Sequence, residues 1–421
     1  MGFCWPRSHK PGQSMKTIII TVGNEVTSGH TLNTNAAYMA VELEEVGLTP
    51  DRVLTLRDDV ITLAGEIRKA VKAYRVVLIT GGLGPTHDDV TKMALCAAFK
   101  TGLVRNNKIL KAVREFFRHI NRPMPAVNET QADVPQTCKA IVNKRGTAPL
   151  LFFDTGTCLL FAMPGVPYEM RFLMETQVVP ILKKRLPKFS MKRAVIRTAG
   201  IGESRLYEMI EANGGVPDEV ELAYLPSPGQ VDLRITATGK KAAGSVGKAV
   251  KKLMKVAGPY CFGFDKTTLE GAIGARLVKK GLTLASAESC TGGRFAARIT
   301  SAPGASVYFL EGAVTYGNQS KIKRLGVNPK TLLKYGAVST QTAGEMAEGI
   351  CKTSGADIGV SITGIAGPGG GTKEKPVGLV YIGICVKDAV ETKKFEFGLD
   401  RNMNQERAVK EALIWLWEQV K

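Results

Sequence analysis

The stretch RVVLITGGLGPTHDDVT, residues 75–91, decides the architecture of the first part of the chain. VVLIT is apolar or β-branched throughout, without polar alternation, and so reads as a strand buried on both faces. Two glycines break it, and a helical pattern starts after Asp89. Working outward, the same rhythm recurs. TIIITVG (17–23) and RVLTL (52–56) read as strands, and NTNAAYMAVELEEVG (33–47) and ITLAGEIRKAVKAY (61–74) as helices. CLLFAMPG (158–165) adds a strand and YEMRFLMETQVVPILKKRL (168–186) a helix. Such alternation predicts an α/β unit over 15–182, an open, mainly parallel sheet covered by helices.

Ligands of open parallel sheets bind at the carboxyl ends of the strands. Two loops lie there. VGNEVTSG (22–29) carries Glu25, and 81–91 carries Gly81, Gly82, Gly84 and Thr86, followed by Asp88 and Asp89. Glycines beside carboxylates suit phosphates bridged by Mg²⁺ or a similar divalent cation, with Glu25, Asp88 and Asp89 as ligands. Asp88 and Asp89 equally suit the N-cap of the next helix.

The pattern changes over 183–264. MKRAVIRTAGI is a strand and ESRLYEMIEAN a helix. VELAYLPSPGQVDLRITATG is a pair of strands around a Pro-Ser-Pro-Gly turn, and KKAAGSVGKAVKKLMKVAG is a basic helix. This predicts a small α+β module. From 265 to 421 helices and strands alternate again, predicting a C-terminal α/β sandwich. Residues 1–14, MGFCWPRSHKPGQS, are polar and Pro-rich and read as a disordered extension or a start misplaced upstream of Met15.

A chain of 421 residues argues for two or three domains. No segment reaches the ~18–20 apolar residues of a membrane span. Eight cysteines without a C-x-x-C pair speak against zinc and thioredoxin-like chemistry and for a reducing cytoplasm. The net charge is +19, and residues 183–264 are the most basic, with 15 Lys and Arg against 7 Asp and Glu. Such charge fits a solvated lysine-rich surface or an anionic partner.

AESCTGGR (287–294) places Ser289 and Cys290 on a strand-to-helix turn. Either could be a nucleophile, and nucleophiles need a base. All four histidines precede residue 120, so the C-terminal unit has none. Lys is the base left to it, as in Ser–Lys acyl-transfer sites. The N–H groups of Thr291, Gly292 and Gly293 are candidates for an oxyanion hole aided by the helix dipole. The alternative is that SCTGG is a plain cap and tight turn. In GAVTYGNQSKIKRLGV (312–327), Tyr316 ends a strand, Asn318 suits an N-cap, and Lys321 lies on the first helical turn, facing Ser289. Lys323 and Arg324 read as solvent-facing neighbours. TGIAGPGGGTKEKPVG (363–378) is a Gly-rich loop whose N–H groups suit an anion, and it lacks the G-K-[ST] of a Walker A loop. Arg401, at a strand-to-helix junction, suits a phosphate.

AESCTGG, VTYGN-x-x-K, TGIAGPGGGT-x-EKPVG and DR together resemble the C-terminal domain of the CinA (competence/damage-inducible) family. That resemblance implies a nicotinamide mononucleotide (NMN) amidohydrolase, which forms nicotinic acid mononucleotide and ammonia without a cofactor. It implies Ser289 as nucleophile, Lys321 as base and Tyr316 nearby. Arg401 and the loop glycines, including Gly364, Gly367, Gly369 and Gly370, would hold the nucleotide, with Asn318 at the site. GG-x-GPT-x-DD-x-T, TNAAY (34–38), N-x-x-GTAP (143–149) and PGVP-x-EM (164–170) resemble the molybdopterin-binding domain at the N-terminus of that family. There the resemblance implies an ADP-ribose pyrophosphatase that uses a divalent cation and potassium. RT-x-GIGES (197–204) and AYLPSPG (223–229) match its KH-like insert. The chain departs from the family pattern at Asn24, Asn33 and Arg57, and the missing carboxylate at 33 weakens the expected metal site. The resemblance also implies a homodimer. The competing readings are a molybdopterin- or nucleotide-binding protein with a vestigial hydrolase, and a nucleic-acid-binding competence factor using the basic module. For the latter, GSVG (244–247) formally matches the KH loop, although it lies within a helical pattern.

Overall fold

The computed structural model describes residues 15–186 and 191–421; the expectation for residues 1–14 falls outside them. The chain forms two compact units, one ending at Ser190 and one spanning Met191–Lys421.

The first unit is built on six strands in the order β2-β1-β3-β8-β7-β6. These are β1 (Thr17–Val22), β2 (Arg52–Leu56), β3 (Val76–Thr80), β6 (Lys139–Ile141), β7 (Leu150–Asp154) and β8 (Leu159–Met163). Two short strands, β4 (Leu103–Arg105) and β5 (Asp133–Pro135), pair separately. β2, β1, β3 and β8 run parallel, and β7 and β6 add antiparallel. Both faces are covered. One core packs Ile18, Ile20, Val77 and Ile79 against the helix Val60–Ala73, and the other packs Ile19, Leu78 and Phe161 against Met39 and Met170. This explains the unbroken apolar runs of the central strands. The stretch expected as one helix over 168–186 is helical from Pro167 to Arg185 but carries a π-helical turn at Met174–Val178.

The second unit holds two sheets. A four-stranded antiparallel sheet, order β10-β11-β9-β12, joins β9 (Met191–Ala199), β10 (Glu221–Ser227), β11 (Gln230–Thr238) and β12 (Cys261–Phe264). The helices Glu203–Ala212 and Ala242–Ala257 pack on it through Leu206, Ile210, Ala249 and Leu253. GSVG (244–247) lies inside the second helix, so it forms no KH-type loop.

The C-terminal sheet has the order β14-β13-β15-β16-β17. It comprises β13 (Leu284–Glu288), β14 (Phe309–Val314), β15 (Ile358–Gly364), β16 (Leu379–Val386) and β17 (Ala389–Glu396). β14, β13 and β15 are parallel, while β16 and β17 return antiparallel. On one face lie the helices Leu269–Lys280, Arg294–Thr300 and Arg401–Val420. On the other, Leu325, Leu332, Met346 and Ile350 pack against Ala285 and Ala287. Ala199 and Phe262 of the small sheet join the first of these cores. Among the described residues no helix is long and apolar enough to cross a membrane.

Candidate functional site

The carboxyl ends of the parallel strands β13, β14 and β15 meet at Ser289. Its N–H extends the sheet by donating to the Ile362 carbonyl (2.9 Å), and Thr315 N–H donates to the Glu288 carbonyl (2.8 Å). Successive side chains of a strand face opposite ways. Glu288 therefore points into the layer of Phe295, while Ser289 turns toward the helix Asn318–Leu325, which carries Lys321.

Lys321 is fully buried, and its Nζ lies 3.0 Å from Ser289 Oγ. Nζ donates to the carbonyls of Thr315 (2.7 Å) and Tyr316 (3.1 Å). A neutral amine has two N–H bonds and one lone pair. In that neutral form the two carbonyls would take both N–H bonds and the lone pair would face the Ser289 hydroxyl. Burial holds the Lys321 pKa below the ordinary lysine value, and the opposing pull of the Cys290 thiol is smaller. Cys290 itself is 5% exposed within the core, and burial pushes its thiol up to about 12. It packs, and Ser289 is the side chain in contact with Lys321.

The expected oxyanion donors need correction. Gly292 N–H is spent on the Ser289 carbonyl (3.1 Å). Gly293 N–H goes to Glu288 Oε2 (3.0 Å). The same carboxylate accepts from Phe295 (3.1 Å) and Ala296 (2.9 Å), so the helix dipole is already answered by Glu288. Within the turn, the N–H groups of Cys290 and Thr291 have no partner among the described residues. Thr291 Oγ1 is buried and also unpartnered.

Tyr316 lies two residues beyond the end of β14 rather than ending that strand, and its side chain is exposed. Gly317, not Asn318, is the N-cap; Asn318 is the first helical residue and is exposed. Arg401 opens the last helix behind its N-cap Asp400. It donates to the Gly367 carbonyl (2.6 Å) and to the Tyr316 hydroxyl (3.2 Å), so it joins the Gly-rich loop to the Ser289 side of the sheet. Gly364 belongs to β15, paired with Val380, and is no loop donor. Gly369 and Gly370 are exposed, and the N–H groups of Gly367, Gly369 and Gly370 have no partner among the described residues.

Several positioning residues escaped the sequence reading. Gln405 Nε2 donates to the Cys290 carbonyl (2.6 Å), and Asn404 Nδ2 to the carbonyls of Ala366 (3.0 Å) and Leu399 (2.7 Å). Both are buried on the last helix. Lys375 Nζ pins the loop to the Tyr335 and Val338 carbonyls. In the sequence, two amides on the apolar side of an amphipathic helix were the available signal.

In the first unit, Gly81 sits at φ +105°, and a Cβ there would lie 2.1 Å from the Val22 carbonyl oxygen. Only glycine permits this approach of the two loops. Asn35 Nδ2 donates to the Gly165 carbonyl (2.7 Å), bringing TNAAY against PGVP. Asn143 Nδ2 donates to Glu169 Oε2 (2.6 Å), bringing N-x-x-GTAP against PGVP-x-EM. Burial pushes the Glu169 pKa up to about 7.

The expected carboxylates Glu25, Asp88 and Asp89 lie near Asp58, and Asp89 is engaged within its own loop. Asp89 uses Oδ1 on Gly84 N–H (2.7 Å) and Oδ2 on the N–H and hydroxyl of Thr86. It closes the Gly84–Thr86 turn and does not cap the next helix, whose N-cap is Val90. Asp88 is exposed. Glu25 is exposed in the short helix Asn24–Thr27. Among the described residues no three His, Cys, Asp or Glu side chains gather closely enough to hold a metal ion. Asn33 caps the helix Thr34–Glu44 through Ala36 N–H (3.1 Å). Asp58, which the sequence did not single out, accepts from Asn24 N–H (2.7 Å); burial first, then Glu25, Asp88 and Asp89, raise its pKa.

Comparison with known proteins identifies the family. A putative competence-damage inducible protein of Caldicellulosiruptor saccharolyticus is 40% identical over 404 residues, 95% of this chain and 98% of its own length. The chain belongs to the CinA family. A CinA-like protein of Chlorobaculum tepidum is 40% identical over 420 residues, covering 97% of this chain and 99% of its own. Within the CinA-family chain, residues 18–184 match the probable molybdopterin binding domain, 193–263 the damage-inducible protein CinA KH domain, and 266–420 the CinA C-terminal domain. A crystal structure of a competence/damage inducible protein from Agrobacterium tumefaciens is 39% identical, covering 36% of this chain and 94% of its own, with a TM-score of 0.34.

Proposed function

We propose that the C-terminal domain hydrolyses the carboxamide of NMN to nicotinic acid mononucleotide and ammonia. The observation that carries this reading is the buried Lys321 Nζ, 3.0 Å from Ser289 Oγ and held by the Thr315 and Tyr316 carbonyls. Ser289 Oγ attacks the amide carbon while its proton passes to Nζ. The oxyanion of the tetrahedral intermediate is met by the free N–H groups of Cys290 and Thr291. Collapse breaks the C–N bond, and Nζ returns the proton to the departing ammonia. Water, deprotonated by Nζ, then hydrolyses the acyl-enzyme and frees Ser289. The guanidinium of Arg401 and the free loop N–H groups favour an anionic substrate such as a nucleoside monophosphate. Incubation with NMN should release ammonia, and Ser289→Ala should release none. Absence of ammonia from the wild type would exclude the reading.

For the first unit, ADP-ribose pyrophosphatase activity is proposed on the resemblance of its motifs. Glu25, Asp88 and Asp89 are the carboxylates that would hold its divalent cation. Metal-dependent release of AMP from ADP-ribose is the direct test.

A further inference from the structure

Glu288 is 1% exposed, immediately precedes Ser289, and ends a strand buried along its whole length. Burying a carboxylate is costly unless its oxygens are satisfied. Here both are: Oε2 accepts from Gly293 and Phe295, and Oε1 from Ala296. The contacts reach across the Ser289–Gly292 turn, so one side chain fixes strand end and helix start together. They also divide the donors of the turn. Those of 293, 295 and 296 are consumed by Glu288, and that of 292 by the Ser289 carbonyl. Those of Cys290 and Thr291 are left, beside the nucleophile.

We propose that Glu288 is a positioning residue for Ser289: its carboxylate braces the 289–293 turn so that Ser289 Oγ and the Cys290 and Thr291 N–H groups hold the geometry of attack. Glu288 touches no substrate atom. It acts from the opposite face of the sheet to Lys321, so its loss leaves the Ser–Lys contact partners present but loosens the turn between them. As an account of turnover this rests on the amidase reading, but the reactivity of Ser289 can be measured without that substrate.

The test uses the full chain and two readouts. The first is the rate at which a fluorophosphonate labels Ser289, followed by intact mass; Oγ attacks phosphorus and fluoride leaves. The second is kcat and KM for NMN. Glu288→Gln keeps the volume but turns an NH₂ donor toward N–H groups. Misplacement by about 1 Å can cost about 100-fold, so labelling and kcat should both fall about 10- to 100-fold with KM little changed. Glu288→Asp, a charge-conserving variant, should recover part of both. Wild-type labelling by a folded Glu288→Gln protein would overturn the proposal. So would loss of cooperative folding in both variants, which would assign Glu288 to stability alone. If the wild type is labelled at Ser289 but releases no ammonia from NMN, the amidase reading fails while the labelling rates still decide the role of Glu288.

Discussion

Lys321 Nζ and Ser289 Oγ stand 3.0 Å apart, with the amine sealed from solvent and bonded also to the Thr315 and Tyr316 carbonyls. An ammonium in that place would have a third N–H to satisfy against the serine hydroxyl and a desolvated charge to carry. Lys321→Met preserves much of the side-chain volume and removes both demands. Turnover should fall about 10²- to 10⁴-fold, the usual contribution of general acid–base catalysis. The fold should lose about 1–3 kcal/mol, because the Thr315 and Tyr316 carbonyls lose the donor that satisfies them. Parallel kinetics and thermal unfolding check this; full turnover in the variant would remove Lys321 from the mechanism.

The pH profile follows from the same pair. Lys321 must be neutral to accept the Ser289 proton, and burial depresses its pKa. Activity should therefore rise with pH through the folded-state pKa and level off below the ordinary lysine range. Stability follows the same direction. Between the depressed folded pKa and about 10.4 the unfolded chain binds the extra proton, so the contribution of Lys321 to stability grows as pH rises. A profile of kcat/KM that is flat through the neutral range and breaks only near pH 10 would contradict the assignment.

Arg401 is bonded to Gly367 and Tyr316 and ties two halves of the site. Arg401→Ala should raise KM for NMN about 10- to 100-fold, since a hydrogen bond to a charged group contributes roughly 1.5–3 kcal/mol. A change confined to kcat would place Arg401 outside substrate binding.

Much of this arrangement was legible in the sequence, and what was missed has a common cause. The buried runs VVLIT and TIIITV fixed the parallel sheet because period and hydrophobicity agree there. The closeness of Ser289 and Lys321 was anticipated from a domain without histidine together with the resemblance of AESCTGG and VTYGN-x-x-K to the CinA family. The donors of the oxyanion hole were not legible. Sequence shows which N–H groups open a helix but not which of them a distant atom already occupies, and the Glu288 carboxylate takes three. Asp89 was misread for the same reason: its oxygens are spent on Gly84 and Thr86, a contact that D-D-x-T does not announce. Gln405 and Asn404 act across more than 35 residues of chain, beyond any local spacing rule.

Asp88 and Asp89 should accordingly separate on mutation. Asp89→Ala strips the Gly84 and Thr86 N–H groups of their acceptor and should destabilise the first unit by about 1–3 kcal/mol. Asp88→Ala, at an exposed side chain, should change stability by about 0.5 kcal/mol or less. Urea unfolding of the two variants gives the comparison. Equal effects would show that the turn does not depend on Asp89.

Glu169 offers a test of opposite sign to Lys321. Burial raises its pKa from 4.5 to about 7, so the folded protein keeps a proton that the unfolded chain has lost. Its contribution is fully present below about pH 4.5 and disappears as pH rises through 7. At 1.36 kcal/mol per unit the whole loss amounts to about 3 kcal/mol at most. Glu169→Gln cannot ionise, and its side-chain oxygen can still accept from Asn143. It should match the wild type near pH 4.5 and exceed it at pH 8. Thermal unfolding across that range is the measurement. A wild type whose excess loss between those values equals that of the glutamine variant would mean that Glu169 titrates as an ordinary surface carboxylate despite its burial.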